Sequence, residues 1–206
     1  MRRLLNRFKK KWAHDCTPAG QEGFSLLELA VGLGVAAVVM LAVISIFTTL
    51  TRSYTTQNAF SSVQQVARAG VDYMAQNIRM AGLNPKDIKG VNILAATPTS
   101  IEFKLDRNLN GEIDDAAQEH MAYSYDEEER EVGEAVDGGA PYKFIENVLG
   151  LTFTYFDESG ADLGDEPDLD EIRTVEIVLT VAQKAGRDRL VNRTYSTRVN
   201  CRNLGL

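Results

Sequence analysis

The sequence predicts an α+β protein in which one long N-terminal hydrophobic helix packs on a C-terminal antiparallel β-sheet domain. Three observations support this fold class: a charge-free apolar stretch at residues 29–47, a helical apolar periodicity that continues to residue 81, and strand-like alternation after Pro85. Strands that follow a single long helix are typical of an antiparallel sheet covering that helix.

The apolar stretch is long enough to cross a bilayer. Residues 29–47 contain Ser45 as their only polar side chain, and residues 24–27 extend the stretch to the roughly 20 residues that a membrane span needs. The helix has no polar face, unlike a core helix of a water-soluble domain. Basic residues at positions 2–11 precede it, so the N-terminus is expected in the cytoplasm and the C-terminal domain outside it.

Beyond residue 50 the helix becomes amphipathic, with apolar residues at three- and four-residue steps up to residue 81. Gly82 suits a helix C-cap, and Pro85 forbids continuation. We therefore predict a leader at residues 1–23 and a helix at residues 24–82, of which 24–50 is the membrane stalk and 51–82 the amphipathic half. Residues 83–206 form the exported sheet domain.

Alternating patterns in that domain predict five strands, and residues 144–149 are interpreted as a short helix or turn. The charged run at residues 126–131, which Val132 follows, is interpreted as the solvated turn of a hairpin that begins with the strand at residues 121–125. The predicted strands cover residues 101–105, 121–125, 151–156, 174–181 and 194–199.

The junction between leader and helix is unusual. A secretory signal places its small residue after the apolar region, whereas Gly23 lies before it, beside the basic segment. A cut after Gly23 must occur on the cytoplasmic side and leaves the apolar helix on the mature chain. Together with Phe24 after the cut and Glu28 as the fifth mature residue, this pattern resembles the type III signal of prepilins and pseudopilins.

The resemblance implies a pilin-like fold and specific roles for these residues. A membrane prepilin peptidase would cut after Gly23 and methylate the new amino group of Phe24. Glu28 would neutralise the N-terminal amine of a neighbouring pilin or pseudopilin during assembly. The expected location is the bacterial inner membrane as a single-pass protein with a periplasmic body, and afterwards a pilus or pseudopilus.

The body resembles PilW-type minor pilins and the related J-type pseudopilins, on the residues at 52–54 and 78–82, Arg198, Arg202 and Asn203. This resemblance implies a minor pilin of a type IV pilus, active in assembly or priming for adhesion and motility. A minor pseudopilin of a type II secretion system is the alternative. An anchored hydrolase is the alternative of another class, but no catalytic motif supports an enzyme.

The net charge of the chain bears on its possible partners, and its cysteine content bears on disulfide formation. Without residues 1–23 the chain carries 16 basic and 27 acidic residues, a net charge of −11. Such an acidic body repels phosphate backbones, so no nucleic acid is expected as a partner. Cys201 is the single cysteine outside the leader, and the mature chain therefore cannot form an internal disulfide.

A stretch beginning at Asp106 resembles the start of an EF-hand loop, with oxygen side chains at alternate positions and glycine at the sixth. Position twelve is Ala117, so Asp115 or Glu119 would have to close the site. Two interpretations stay open: a stabilising calcium site, with no other cofactor required, or a polar Asx-rich turn. The candidate ligands are the side chains of Asp106, Asn108, Asn110 and Asp114 and the carbonyl of Glu112.

Overall fold

The computed structural model describes residues 23–114, 117–186 and 189–204. The predicted leader, residues 1–23, lies outside this part of the chain except for Gly23. The chain forms two compact units, Met1–Thr49 and Leu50–Leu206. The α+β class is confirmed: one long N-terminal helix packs on antiparallel sheets.

The described elements are one helix and eight strands. They are α1 (Leu26–Arg79), β1 (Ile93–Thr97), β2 (Ser100–Lys104), β3 (His120–Asp126), β4 (Glu131–Val136), β5 (Tyr142–Glu146), β6 (Val148–Phe156), β7 (Thr174–Lys184) and β8 (Leu190–Asn200).

Helix α1 ends three residues before Gly82, the residue predicted from the sequence as its C-cap. Its last residue is Arg79, and Gly82 then adopts a left-handed φ of 74°. The Gly82 N–H donates to the Lys104 carbonyl at 3.0 Å, and a Cβ on Gly82 would lie 2.5 Å from Cδ2 of Leu204. Glycine is therefore required here both for the backbone conformation and for space.

The second half of α1 buries one face. Its buried residues follow the three- and four-residue spacing of a helix stripe, which confirms the predicted amphipathic pattern. They are Ala59, Val63, Ala67, Gly70, Val71, Met74, Ala75, Asn77 and Ile78.

The first sheet has five antiparallel strands in the order β1-β2-β3-β4-β5. Strands β3 and β4 form the predicted hairpin, with Tyr125 opposite Val132 and Asp126 opposite Glu131. Its turn is exposed and acidic, as expected. The Asp126 carboxylate accepts the N–H groups of Glu128 and Glu129 at 2.9 and 3.0 Å, which is how a short polar side chain closes a turn.

The second sheet has three antiparallel strands in the order β6-β7-β8, where the sequence predicts a single sheet. The interpretation of residues 144–149 as a helix or turn is also wrong, because they contribute to β5 and β6. Between these strands Asn147 has a φ of 59° and its carbonyl accepts the Ala182 N–H at 2.9 Å. This left-handed residue moves the chain from the first sheet to the second.

Both sheets and α1 share one hydrophobic core. The helix approaches both sheets closely at Gly70, where an added Cβ would lie 2.3 Å from Cδ1 of Ile145 in β5 and 3.5 Å from Cδ2 of Leu179 in β7. Because no side chain separates them, the helix backbone lies directly on residues from both sheets. The missing side chain thus sets the distance between helix and sheets.

Replacing Gly70 by leucine should lower the free energy of unfolding by about 1–3 kcal/mol, because the new side chain overpacks the helix–sheet contact. Thermal unfolding of the detergent-solubilised chain measures this change. The matched control is Ala69→Leu, since Ala69 is exposed on the same helix turn and should tolerate the larger side chain. Equal melting temperatures of the two variants would contradict this account of Gly70.

Candidate functional site

The junction predicted from the sequence lies immediately before α1. Phe24 is 85% exposed, and the helix begins at Leu26. Ser25 caps the helix: its Oγ accepts the Glu28 N–H at 3.2 Å and its carbonyl accepts the Leu29 N–H at 3.1 Å. A cut after Gly23 would therefore leave the whole helix and its cap on the mature chain.

Glu28 occupies the third position of the first helical turn and is exposed. Ser25 and Glu28 have the spacing of a capping box, a signal present in the sequence but overlooked in the sequence prediction. An acidic residue there also lies favourably at the positive end of the helix dipole. Within residues 23–114, 117–186 and 189–204 the Glu28 carboxylate forms no ion pair.

The first half of α1 exposes a continuous apolar surface. Large apolar side chains from Phe24 to Leu50 are more than half exposed, and none of the most apolar 18-residue window is buried. By length and composition this helix can cross a membrane, which supports a single-pass anchor near the N-terminus.

The calcium-like loop is held by its own carboxylates. Asp106 is fully buried and accepts the N–H groups of Asn110 and Gly111 at 3.1 and 3.0 Å. Glu119 is also fully buried and accepts the N–H groups of Asn108 and Asp114 at 3.2 and 2.7 Å. Of the two residues named to replace Ala117, Glu119 thus joins the loop, whereas Asp115 lies outside the described residues.

The side chains proposed as calcium ligands form hydrogen bonds with one another. The side-chain amides of Asn108 and Asn110 donate to Oδ2 of Asp114 at 3.0 and 2.6 Å, and Lys86 Nζ donates to the Asn110 carbonyl at 2.6 Å. Glu112 points to solvent. No group of three or more His, Cys, Asp or Glu side chains in the described chain has the arrangement of a metal site. Calcium here stays a prediction from the sequence.

A buried polar network, absent from the sequence prediction, joins α1 to the first sheet. Glu134 in β4 is 1% exposed and accepts hydrogen bonds from the hydroxyls of Tyr123, at 3.1 Å, and Tyr142. Asn77 of α1 donates to the Tyr123 hydroxyl at 2.8 Å and accepts from Arg107 Nη2 at 3.1 Å. The signal for Glu134 was its strand phase, since it shares the inward positions of β4 with Val132.

This network holds its tyrosines in the protonated form. Burial, and next the Glu134 carboxylate, raises the pKa of Tyr123 far above its ordinary value. Partial burial and the hydrogen bond to Glu134 raise the pKa of Tyr142 in the same direction. Because these pKa values are raised in the folded state, the unfolded chain loses the tyrosine protons at a lower pH than the folded chain does. The folded state is therefore favoured least at alkaline pH. The network therefore contributes fully to stability up to about pH 10, the ordinary pKa of tyrosine, and less at higher pH.

Comparison with known proteins adds no relative. No protein-family model matches the chain, and no curated protein matches it. The resemblance to prepilins, carried by Gly23, Phe24 and Glu28, therefore stays an expectation.

Replacing Asp106 by asparagine should lower the melting temperature, because a charged acceptor of two backbone N–H groups contributes about 1.5–3 kcal/mol per bond. Thermal unfolding of the detergent-solubilised chain without calcium measures the effect. Glu112→Gln is the control, since that exposed carboxylate holds no loop N–H group. An unchanged melting temperature for Asp106→Asn would contradict the role of Asp106.

The same variants test the predicted calcium site. Calcium binding would raise the melting temperature of the wild-type chain and give heat in a calorimetric titration, and Asp106→Asn would abolish both. Neither heat nor a shift at millimolar calcium would dismiss the calcium interpretation and leave the Asx-rich turn.

Proposed function

We propose that this chain is a prepilin-class subunit that is cut after Gly23, anchored in the bacterial inner membrane by α1, and then assembled through that helix as a minor pilin of a type IV pilus. The observation that carries the proposal is that the described residues bury none of α1 before Leu50, while its first turn presents Glu28. A prepilin peptidase and other pilins are the partners that this proposal requires.

The exposed half of α1 supports a role in both membrane and filament. An apolar surface of this length is stable in a lipid bilayer or against equivalent helices, because both environments remove it from water. Retention of the helix after processing follows from the position of Gly23 before Leu26. One element can therefore serve first as anchor and then as stalk.

Glu28 supports selective assembly. A carboxylate inside an apolar environment costs roughly 2.5–3.5 kcal/mol at the bilayer centre, and a partner of opposite charge offsets that cost. The amine that a cut creates at Phe24 is such a partner when it belongs to the neighbouring subunit. Correctly placed neighbours would then be favoured over random contacts between apolar helices.

Glu28→Ala should still be cleaved but should be absent from filaments, because the charge that meets the neighbouring amine is lost. Immunoblots of membranes, where cleavage shortens the chain by 23 residues, and of sheared filaments measure the two steps. Glu28→Gln separates the two roles of this residue. Glutamine keeps the capping box with Ser25 but carries no charge, so it should also fail to assemble. Normal assembly of either cleaved variant would contradict the charge-pair role.

A strain that lacks this chain separates the pilus from the type II secretion alternative. The proposal predicts loss or strong reduction of surface pili, with secretion of folded exoproteins unchanged. Electron microscopy and assays of secreted protein measure the two phenotypes. Loss of secretion with normal pili would instead support the pseudopilin, and a strain with both intact would overturn both functions.

A further inference from the structure

Three arginines from separate stretches of the chain line one surface groove. Arg79 is the last residue of α1, Arg198 lies in β8 and Arg202 follows that strand. With Thr174 and Asn200 they line a volume of about 430 Å³ that is open to solvent. All three arginines belong to the body resemblance described above, and the proposed helix function uses none of them.

The fold explains why the arginines meet. Side chains alternate along the end of β8, so Val199 and Cys201 are buried while Arg198 and Asn200 are exposed. The Cys201 thiol donates to the carbonyl of Ile78 at 3.6 Å, which places the residues after β8 against the end of α1. Arg202 follows Cys201 and Arg79 follows Ile78, and the core contact therefore brings their neighbours to one groove.

Arg198 is fixed within the groove. Its Nε and Nη2 donate to the Glu176 carboxylate at 3.1 and 3.5 Å, and its guanidinium lies 4.4 Å from the centre of the Phe156 ring. The remaining Nη1 edge has no hydrogen bond within the described residues. The Thr174 hydroxyl donates to Oδ1 of Asn200, which leaves the Asn200 amide N–H groups as neutral donors.

Positive charge in this groove is unbalanced. Arg79 and Arg202 are exposed and form no ion pair within residues 23–114, 117–186 and 189–204. Three arginines against Glu176 leave a local charge of +2. The chain from residue 24 onward, with the groove included, carries a net charge of −11, so the groove is a basic site on an acidic protein.

We propose that this groove binds a phosphate-class oxyanion: a single phosphate group, free or on a small molecule. The two oxygens of a carboxylate are satisfied by one guanidinium fork, whereas a phosphate has three or four oxygens in a tetrahedral arrangement. Guanidiniums from three separate stretches of the chain, together with an amide, offer the several donors that the second geometry needs. A phosphate monoester carries about −1.5 to −2 charges at pH 7, which balances the groove.

The acidic body limits the ligand to a small one. A Debye length of about 8 Å at physiological ionic strength screens the rest of the surface, so a compact anion inside the groove responds mainly to the arginines. An extended polyanion would also meet the acidic surface outside the groove. This separates the proposed site from nucleic-acid binding, which the overall charge opposes.

Isothermal titration of the purified, uncleaved full chain in detergent with inorganic phosphate tests the proposal, at constant ionic strength held with chloride. We expect one phosphate per chain and binding that weakens about tenfold or more in the double variant Arg79→Gln/Arg202→Gln. The matched control is Arg68→Gln, because Arg68 is an exposed arginine of the same helix that pairs with Asp72 at 3.5 Å. Far-ultraviolet circular dichroism confirms that the variants fold.

Each outcome decides the proposal. Phosphate binding that the double variant loses and Arg68→Gln retains would support it. No heat at about 10 mM phosphate, where a millimolar site is largely filled, would overturn it. Unchanged binding in the folded double variant, or equal binding of acetate, would also overturn it. The measurement requires neither cleavage nor assembly, so its failure leaves the proposed subunit function standing, and the reverse also holds.

Discussion

Exposure of the first half of α1 to water is energetically unfavourable, because its surface is apolar on every side. An isolated helix that is apolar on every side is stabilised when its surface is removed from water. The described part of this chain covers none of that surface between Phe24 and Leu50. Membrane and filament are two environments that solve the same problem. The acidic first turn, the continuous helix and the cut that we propose after Gly23 are all consistent with this one constraint.

The second half of the same helix obeys the opposite rule, because the body covers its apolar stripe. Two polar contacts and one apolar contact hold its C-terminal end. Asn77 joins the hydrogen-bond network of Glu134, and the Ile78 carbonyl accepts a hydrogen bond from the Cys201 thiol. Gly82 packs against Leu204. Burial raises the pKa of the Cys201 thiol to about 12, so this thiol stays protonated and able to donate at neutral pH. The body is thus organised around a helix end that polar and apolar contacts fix together.

The sequence prediction is correct for elements that local residue patterns determine. It fails for elements that depend on contacts between residues far apart in the sequence. The helix, its glycine end and the hairpin of β3 and β4 depend on periodicity and turn residues, which are visible in a single sequence. The division into two sheets depends on one left-handed residue, Asn147, whose conformation no periodicity reveals. Strand β1 was also missed, since its short run includes small residues with weak strand preference.

The candidate sites differ in the same way, because some depend on local sequence and others on contacts distant in sequence. Gly23, Phe24 and Glu28 are neighbours in sequence and could be found together, and the loop at Asp106 could be found from its spacing. The arginine groove could not, because its members come together only through the packing of the chain end on α1. Convergence of this kind is a property of tertiary structure, and it carries no signature at any single stretch of sequence.

The close approach at Gly70 also has a consequence for how this protein can change over evolutionary time. The space that a side chain at position 70 would need is already occupied by Ile145. A larger residue at one position is tolerated only with a smaller residue at the other, because a packed core conserves volume. Among descendants of this sequence the two positions should vary as a pair, although they lie 75 positions apart along the chain.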